Sequence, residues 1–500
     1  MRYQNPVITG FYPDPSVCKY GDKYYLVTSS FQFFPGVPLF ESDDLVNWTQ
    51  IGHVLTRKSQ LPLEDASNSG GIYAPTIRVN NGRFYMVTTN ISSKGNFYVW
   101  TDDIYGEWSE PVWVERDGID PSLYFEDGKC YFMSNGTDAK GDSGVTQCEI
   151  DIETGKVLSE VVTVWHGTGG RFLESPHLYK FKDTYYLMAA EGGTEYGHMV
   201  VMAYSDNIYG PFKEVKNNPI LTNRNLGGYE LQGCGHGDLV EDNNGNIWMV
   251  HLGFRQIGKW LLYHTIGRET CLVPVTIAGD EVYAGYKGTT TLTVDTERLP
   301  DDLVQKKEEV TTFKNTRPGR EWIYIRYPRN GKYLWQDERV YLFGVKDKLD
   351  DDLAYPTFMG IRQKQPEGKM SVTIEACGDN EAGVTLYMDN QHHIDIGVKK
   401  TCGGRKLFKH VSIGDLSVVT DEFDIPAEGK ISVDIVFEKL HYGFSVNAGG
   451  KEYDLGKNQS RYLSTEVAGG FTGVLIGLYA QTEIDDSDTP AIFSDLKIEY

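Results

Sequence analysis

Cysteine is scarce in this sequence, and its spacing excludes two kinds of cysteine-based stabilisation. The chain has 7 cysteines in 500 residues, an odd number without a C-x-x-C pair. A disulfide framework or a cysteine-rich zinc site requires such paired spacings. We therefore expect reduced thiols, as in a cytoplasmic protein, at Cys18, Cys130, Cys148, Cys234, Cys271, Cys377 and Cys402.

Long apolar runs and excess positive charge are also missing. No window approaches the roughly 18 uninterrupted apolar residues of a membrane-spanning helix, and MRYQNPVITGFYPD at the start has no apolar signal-peptide core. Lys and Arg total 48 against 70 Asp and Glu, a formal charge of −22. This balance disfavours nucleic acid or an anionic membrane as partner and suits a neutral substrate. We expect a cytoplasmic protein that does not bind membranes.

The residues that are abundant predict an all-β protein of more than one domain. A hydrophobic fraction of 40%, 13% aromatics and 54 glycines accompany many short runs of Tyr, Val and Thr between turn residues. Such runs are typical of β-strands. At 500 residues the chain is too long for one ordinary domain.

A strand–turn–strand unit recurs five times in the N-terminal half. In four units a proline stands ten residues before an aromatic residue, and in the fifth Asp238 takes the place of the proline before Trp248. A turn precedes each aromatic, which predicts a β-hairpin. The units are DPSVCKYGDKYYLV (14–27), APTIRVNNGRFYMV (74–87), DPSLYFEDGKCYFM (120–133), SPHLYKFKDTYYLM (175–188) and GDLVEDNNGNIWMV (237–250).

These units predict a five-bladed β-propeller over residues 1–300. Related segments such as SDDLVNW (42–48) and TDDIYGEW (101–108) follow the hairpins, so each repeat carries about four strands, the size of a propeller blade. The inner strands of all blades surround one axis, and the residues that begin the units should therefore converge. They are Asp14, Ala74, Asp120, Ser175 preceded by Glu174, and Gly237 preceded by His236.

Three carboxylates at one end of a channel can perform acid–base chemistry. Crowded like charges raise the pKa of one carboxyl group and leave another ionised, as hydrolysis of a glycosidic bond requires. A divalent metal site is the competing use of Asp, Glu and His. Taken singly, Asp14 or Glu174 is more typical of a strand cap or a solvated turn. Phe31 is as consistent with core packing as with stacking on a sugar ring.

Several motifs, in order, resemble glycoside hydrolase family 43, which contains β-xylosidases and α-L-arabinofuranosidases. They are NPVITGFYPDPS, SGGIYAPTIR, IDPSL, ESPHLYK, GCGHGDLV and GRETCLVPV. The resemblance implies an inverting hydrolase on a five-bladed propeller. It implies that Asp14 is the general base that activates water and that Glu174 is the general acid. Asp120 would tune the pKa of that acid and hold the substrate.

The same resemblance implies further residues that bind the sugar. Arg268 matches an arginine that reaches the terminal subsite. His236 matches a channel histidine that in many members lies beside a water-coordinated calcium ion. Tyr73 and Ala74 belong to GGIYAP, where the family usually has Trp in the position of Tyr73, so the subsite wall differs. We expect no required cofactor, and a structural calcium near the propeller axis, with His236 as an indirect ligand, stays open.

The C-terminal half predicts a second β domain. Residues 301–320 are charged and poor in apolar periodicity, as in a linker, and seven or more short strands in residues 321–500 predict a β-sandwich. EAGVTLYMDNQHHIDIG and GGFTGVLIGLYAQ resemble the concanavalin-like domain of family 43 β-xylosidases. By that resemblance Phe471 either closes the active-site rim or packs on its own domain. Adjacent His392 and His393 face opposite sides of a strand, which argues against one metal ion shared by this pair.

We therefore predict an exo-acting, inverting glycoside hydrolase that releases terminal xylose from β-1,4-xylo-oligosaccharides. The alternative is an α-L-arabinofuranosidase, or an enzyme with both activities, that acts on arabinoxylan-derived oligosaccharides. A catalytically inactive carbohydrate-binding protein is the alternative of a different class, and the presence of all three carboxylates argues against it. By resemblance we also expect a homo-oligomer, either a dimer or a tetramer.

Overall fold

The computed structural model describes residues 1–313, 318–483 and 485–500, and its regular structure is almost entirely β. Within that part of the chain, helix is limited to a 3₁₀ turn, Ser460–Leu463, and one α-helical turn, Thr465–Ala468. Neither is long and apolar enough to cross a membrane. Most strands belong either to a ring of five sheets or to a pair of larger sheets, which confirms the predicted all-β class.

Five four-stranded antiparallel sheets, the blades, form the N-terminal part, one for each predicted repeat. The strands of a blade are adjacent in chain order, as tight turns favour. The first strand of each blade, its inner strand, is Ser16–Tyr20, Thr76–Asn80, Ser122–Glu126, Glu174–Phe181 and Leu231–Glu241, respectively. The other strands are Lys23–Val27, Gly36–Ser42 and Thr49–Leu55 in blade 1; Arg83–Asn90, Gly95–Thr101 and Val112–Trp113 in blade 2; Lys129–Thr137, Ser143–Ile150 and Val162–Trp165 in blade 3; Thr184–Glu191, Met199–Ser205 and Lys213–Glu214 in blade 4; Ile247–Arg255, Glu269–Ala278 and Glu281–Ala284 in blade 5.

The inner strands of neighbouring blades contact one another in a closed cycle, with the fifth returning to the first. This is the arrangement of a β-propeller. Arg2–Gln4 pairs antiparallel with Thr293–Asp295, which holds the start of the chain beside the segment that follows blade 5. Each blade packs on a neighbour through both faces, and this explains why Lys23–Val27 is buried at four consecutive residues instead of at alternate ones.

Strand register corrects the predicted alignment of the fifth repeat by one residue. Val27 and Val250 each stand two residues after the aromatic of their repeat; Val27 pairs with Ser16, and Val250 pairs with Asp238. The fifth hairpin is therefore one residue longer, and Asp238 lies at the level of Ser16 instead of the proline before it. His236 consequently begins the fifth unit, where Gly237 was predicted.

The C-terminal strands form a β-sandwich, as predicted. Apolar side chains from both of its sheets share one buried core. One sheet has, in spatial order, Tyr333–Gln336, Arg339–Leu342, Ala491–Glu499, Gly368–Ala376, Ile431–Glu438, His441–Ala448 and Lys451–Gln459, and Thr311–Thr312 also pairs with Ala491–Glu499. The other sheet has Thr357–Arg362, Leu475–Gln481, Glu381–Asp389, His392–Thr401, Gly404–Ile413 and Leu416–Ile425.

The two domains are joined by strand pairing and by an apolar interface. In the predicted linker, Thr311–Thr312 pairs with the last strand of the sandwich, and residues 314–317 lie outside the described residues. Tyr324–Ile325 then pairs with Phe33–Phe34 of the propeller. Side chains of both domains pack together there: Phe33, Ile323, Ile325, Leu349, Phe358, Tyr387, Leu475 and Tyr479. The sandwich is thereby held against the propeller close to the N-terminal repeat.

Candidate active site

Four of the five repeats present their first residue from a left-handed backbone conformation. The φ angles are 56° at Asp14, 53° at Asp120, 54° at Ser175 and 46° at His236. This conformation costs a non-glycine residue about 1–3 kcal/mol. Its recurrence at equivalent positions indicates that the shared blade geometry imposes it, because each of the four residues stands two positions before the residue that pairs at the level of Ser16.

Asp14 is buried and is held through both carboxylate oxygens. Its Oδ2 accepts a hydrogen bond from the Ser29 hydroxyl at 2.6 Å, and its Oδ1 accepts one from Arg268 Nη1 at 2.8 Å. His236 Nδ1 lies 3.7 Å from Asp14 Oδ1 and 4.0 Å from Asp120 Oδ2. The carboxylate of Asp14 is therefore fixed in orientation beside a fixed cation.

The pKa of Asp14 is lowered, whereas the pKa values of Glu174 and Asp120 are raised. Burial alone would raise the pKa of Asp14, but the charges of Arg268 and His236 and the hydrogen bond from Ser29 outweigh it and lower that pKa. Burial and the charge of Asp14 raise the pKa of Glu174 to about 7. Burial and the charges of Glu174 and Asp14 raise the pKa of Asp120 well above its ordinary value. An ionised carboxylate thus faces groups that hold protons up to near neutral pH.

Aromatic rings form one wall of the site. Phe31 stacks on Phe471 with ring centroids 5.3 Å apart, and Tyr73 meets Phe471 edge-on at 5.5 Å. The Arg268 guanidinium lies 4.9 Å from the Phe471 ring and donates a hydrogen bond to the Thr194 hydroxyl at 2.7 Å. An apolar wall with one fixed cation suits the apolar face and the hydroxyl groups of a sugar.

One cavity of about 460 Å³ brings together all nine residues singled out from the sequence. Its volume lies within the range of about 300–1,000 Å³ that small-molecule sites have. The nine are Asp14, Phe31, Tyr73, Ala74, Asp120, Glu174, His236, Arg268 and Phe471. Phe31 is buried in the core and also lines the cavity, so its predicted stacking on a sugar ring stays a prediction. The chemical roles of the nine stay predictions.

Sequence reasoning missed several rim residues of the same cavity. Arg171 and Phe172 precede Glu174, Thr194 and Glu195 follow the second strand of the same blade, and all four line the cavity. Arg171 forms an ion pair with Glu195. Antiparallel pairing could have indicated these residues, because the end of a blade's second strand lies beside the start of its inner strand.

A layer of hydrogen bonds lies one step further along the inner strands. The Thr76 hydroxyl donates to the carbonyl of Pro121 in the next blade at 2.8 Å, and the Ser122 hydroxyl donates to the carbonyl of Pro176 at 2.5 Å. These hydroxyl residues occupy the third position of the A-P-T and D-P-S motifs. The motif therefore places a potential catalytic group first and a blade-linking group third.

Buried charges occupy the same layer. Arg78 binds both oxygens of the fully buried Asp238, at 2.8 and 2.9 Å. Asp238 also accepts hydrogen bonds from the Ser16 hydroxyl at 2.6 Å and the Tyr179 hydroxyl at 2.5 Å. His177 Nδ1 lies 3.0 Å from Arg78 Nη2. Side chains from four blades thus fill the channel here, and the cavity is closed at its inner end.

The donor set around His236 fits calcium poorly. Calcium takes about 6–8 oxygen ligands, whereas Asp14 is already paired with Arg268, and Asp238 with Arg78. Two guanidinium groups therefore already balance these carboxylates, and they would repel a further cation at this level.

Sequence comparisons match both domains to known families. The model of glycosyl hydrolases family 43 matches residues 3–283, and the model of the β-xylosidase C-terminal concanavalin A-like domain matches residues 310–499. The chain belongs to glycosyl hydrolase family 43. This confirms the predicted family and enzyme class, a glycoside hydrolase with a propeller and a C-terminal sandwich.

Relatives of this family 43 hydrolase extend over both domains. A non-reducing end α-L-arabinofuranosidase of Bacteroides ovatus is 36% identical, covering 98% of this chain and 93% of its own. A xylosidase/arabinosidase of Butyrivibrio fibrisolvens is 36% identical over 99% of each chain. The solved structure of Bacteroides ovatus Xyloglucan PUL GH43B has a TM-score of 0.94, with 35% identity and 100% coverage of both chains.

Proposed function

We propose that the protein is an exo-acting, inverting glycoside hydrolase that releases terminal xylose from β-1,4-xylo-oligosaccharides. One observation carries the proposal: a single cavity holds Asp14 with a lowered pKa and Glu174 with a pKa raised to about 7. A base that is ionised and an acid that is protonated at the same pH are the two groups that this reaction requires.

In the proposed reaction Asp14 is the general base. Oriented by Ser29 and Arg268, it removes a proton from the water molecule that attacks the anomeric carbon. Glu174 donates its proton to the departing glycosidic oxygen as the bond breaks. One displacement inverts the anomeric centre, and it leaves Asp14 protonated and Glu174 ionised until protons exchange with solvent.

Asp120 is assigned a supporting role in this reaction. The charge of Glu174 helps to raise the pKa of Asp120, and the two groups titrate together. Asp120 also accepts a hydrogen bond from the backbone N–H of Ser175, the residue after Glu174, which ties it to the strand that carries the acid. We propose that Asp120 keeps the proton on Glu174 and accepts a hydrogen bond from a sugar hydroxyl.

The closed inner end of the cavity favours exo action. Arg78 and Asp238 fill the channel one layer below the carboxylates, and Phe471 covers one side. An oligosaccharide that enters such a pocket end-on places its terminal sugar beside the carboxylates. Removal of one terminal residue at a time is therefore the mode of action that this shape supports.

Arabinofuranosidase activity is the second candidate. The Bacteroides ovatus relative is named an α-L-arabinofuranosidase and the Butyrivibrio relative carries both names. Tyr73 stands where the resemblance predicts Trp, and its ring offers a smaller stacking face on the cavity wall than Trp would. The same acid and base serve either sugar, so a ratio of rates decides between the two activities.

The test compares 4-nitrophenyl β-D-xylopyranoside with 4-nitrophenyl α-L-arabinofuranoside as substrates of wild type, Asp14→Ala and the surface control Asp102→Ala. Loss of the general base should lower kcat by about 10²–10⁴-fold, and the control should match wild type. The larger kcat/KM of wild type identifies the preferred sugar. Proton NMR of the first product tests inversion. Retention, or full activity in Asp14→Ala, contradicts the mechanism.

The acid role of Glu174 has its own test. An acid matters most when the leaving group is poor, so Glu174→Ala should lose about 10²-fold or more on xylobiose and far less on an activated aryl xyloside. Asp14→Ala should lose activity on both substrates alike. Equal losses by Glu174→Ala on both substrates would contradict the assignment.

The predicted dimer or tetramer, and the predicted compartment, stay predictions. Light scattering behind size-exclusion chromatography measures the mass in solution, and a monomer would contradict the predicted homo-oligomer.

A further inference from the structure

A second cluster of metal-ligating side chains lies in the sandwich. His393 and Asp395 are two residues apart on one strand, and His410 faces Asp395 directly from the neighbouring strand. One ligand atom from each of these three residues lies within 4.8 Å of the other two. His392 instead contacts Asp389 at 2.9 Å, so the two adjacent histidines have different partners, as strand alternation predicts.

Both imidazole rings direct the same nitrogen at the carboxylate of Asp395. His393 Nδ1 lies 3.0 and 2.9 Å from its two oxygens, and His410 Nδ1 lies 2.9 Å from Oδ2. Ligand atoms around a tetrahedral ion with bonds of about 2.0 Å are about 3.3 Å apart. The two contacts of the rings with Asp395 are therefore within about 0.4 Å of that spacing, and the two histidine nitrogens lie within 4.8 Å of each other. His393 and Asp395 are buried and His410 is half-buried, so a fourth ligand can approach beside His410.

The outer nitrogen of each ring also faces an oxygen atom. His393 Nε2 is buried, makes no regular hydrogen bond and lies 3.4 Å from Asp350 Oδ1. His410 Nε2 lies 2.8 Å from the Ser417 hydroxyl. Metal-binding histidines usually direct their second N–H to such an oxygen, which fixes the ring and leaves the other nitrogen free to bind the ion.

We propose that His393, Asp395 and His410 bind one divalent transition-metal ion, with Zn²⁺ as its representative. Two imidazoles and one carboxylate suit ions such as Zn²⁺, Co²⁺ and Ni²⁺, whereas Ca²⁺ prefers oxygen ligands throughout. Asp350 and Ser417 support the two rings. The bound ion joins two strands and the segment that carries Asp350, so its role is structural and independent of the glycosidase reaction.

The experiment is isothermal titration of the chelator-treated full chain with ZnCl₂ and, separately, CaCl₂. We expect His410→Gln and Asp395→Asn to weaken Zn²⁺ binding at this site by at least about 100-fold, and Asp350→Asn to weaken it by about tenfold. His166→Gln is the matched control, because His166 also faces a carboxylate, Asp142, at 3.4 Å but on the exposed surface. Any Zn²⁺ held by the active-site carboxylates is common to all variants and cancels in the comparison.

Visible absorption of the Co²⁺-loaded chain gives a second readout, because ligand field bands report the donor set. Zn²⁺ isotherms that do not differ among wild type, His410→Gln and Asp395→Asn would overturn the proposal. Folded wild type that takes up no Zn²⁺ would do the same and would leave a hydrogen-bonded network of imidazole and carboxylate only. If the ligand variants fail to fold, Asp350→Asn and Ser417→Ala decide, because unchanged Zn²⁺ affinity in both would also overturn the proposal.

Discussion

Arg268 acts on all three carboxyl groups of the candidate cavity, because its charge also lowers the pKa of Asp120. Its charge lowers the pKa of both Asp14 and Glu174, but it donates a hydrogen bond to Asp14 alone, at 2.8 Å. At Asp14 this charge and the other partners outweigh burial. At Glu174 burial and the charge of Asp14 dominate, and the pKa rises to about 7. The placement of one guanidinium therefore helps to separate the pKa of the proposed base from the pKa of the proposed acid.

The pH dependence of the reaction should reflect this placement. We expect a bell-shaped profile of kcat/KM with its alkaline limb near pH 7, because Glu174 must be protonated and its pKa is raised to about 7. Arg268→Met removes a charge that lowers both pKa values, so both limbs should move to higher pH. Arg57→Met, at a surface ion pair with Glu110, is the control. A lower maximum of kcat/KM without a shift of either limb of the pH profile would contradict the prediction.

Glu174 should also make the stability of the fold depend on pH. Its pKa is raised from 4.5 to about 7, so the folded state binds this proton more tightly than the unfolded chain does. That contribution is complete below about pH 4.5 and is lost as the pH rises through about 7. We expect Glu174→Gln to exceed wild type in free energy of unfolding by on the order of 3 kcal/mol at pH 8, and to approach it near pH 4. Urea unfolding at both pH values measures this, and an equal difference at both would contradict it.

At the scale of the elements, the inner strands carry both the site and the contacts that fix it. The first residues of four motifs and, in the fourth blade, Glu174 before Ser175 line the cavity. The hydroxyls and charges at the third position join one blade to the next. The ion pair of Arg78 with Asp238 connects blades 2 and 5. Because both layers lie on the same strands, a loss of contacts between blades should also change the positions of the carboxylates in the cavity.

Replacement of Arg78 should show how strongly these blades depend on the buried ion pair. Arg78→Met leaves Asp238 buried without its cation, and we expect a loss of about 3–5 kcal/mol in free energy of unfolding. Lys129→Met is the matched control, since Lys129 pairs with Glu149 at 2.8 Å on the surface, and it should change stability by less than about 1 kcal/mol. Denaturant unfolding followed by tryptophan fluorescence compares them, and similar midpoints for the two variants would contradict the prediction.

At the scale of the whole molecule, the sandwich completes the catalytic cavity. The Ser69 hydroxyl of the propeller accepts a hydrogen bond from the backbone N–H of Phe471 at 2.8 Å. On two other blades, Tyr196 of blade 4 donates to Glu466 at 2.9 Å, and His264 Nδ1 of blade 5 lies 2.9 Å from the same carboxylate. The segment that carries Phe471 is thus attached to the propeller at two places, and the cavity exists only in the assembled molecule.

Removal of the Phe471 ring tests this contribution of the sandwich. Phe471→Ala removes a stacking face worth about 1 kcal/mol, so KM for the terminal sugar should rise up to about tenfold while kcat changes less. Phe423→Ala is the control, because Phe423 lies on the outermost strand of the six-stranded sheet and is partly exposed. Steady-state kinetics with the preferred aryl glycoside measures both variants. An unchanged KM in Phe471→Ala would show that the ring does not contact the sugar.

The fold class and most residues of the candidate cavity could be predicted from the amino-acid sequence alone. β-Hairpins are recognisable from local sequence patterns. When the repeats close into a ring, equivalent positions become neighbours. Asp14, Asp120 and Glu174 could therefore be placed together although they lie far apart in sequence. Phe471 came only from the resemblance to a family, because no repeat relates the sandwich to the propeller.

The contacts among these residues became apparent only in the folded chain. The one-residue shift of the fifth repeat depends on strand pairing, and the contact of Arg78 with Asp238 spans the channel. His410 joins His393 and Asp395 only through the register of two strands. The pKa of Glu174 depends on burial and on a charge from another blade. The pKa shifts and the strand register depend on which residues are neighbours in space. A sequence pattern can identify the residues, but it does not determine those neighbours.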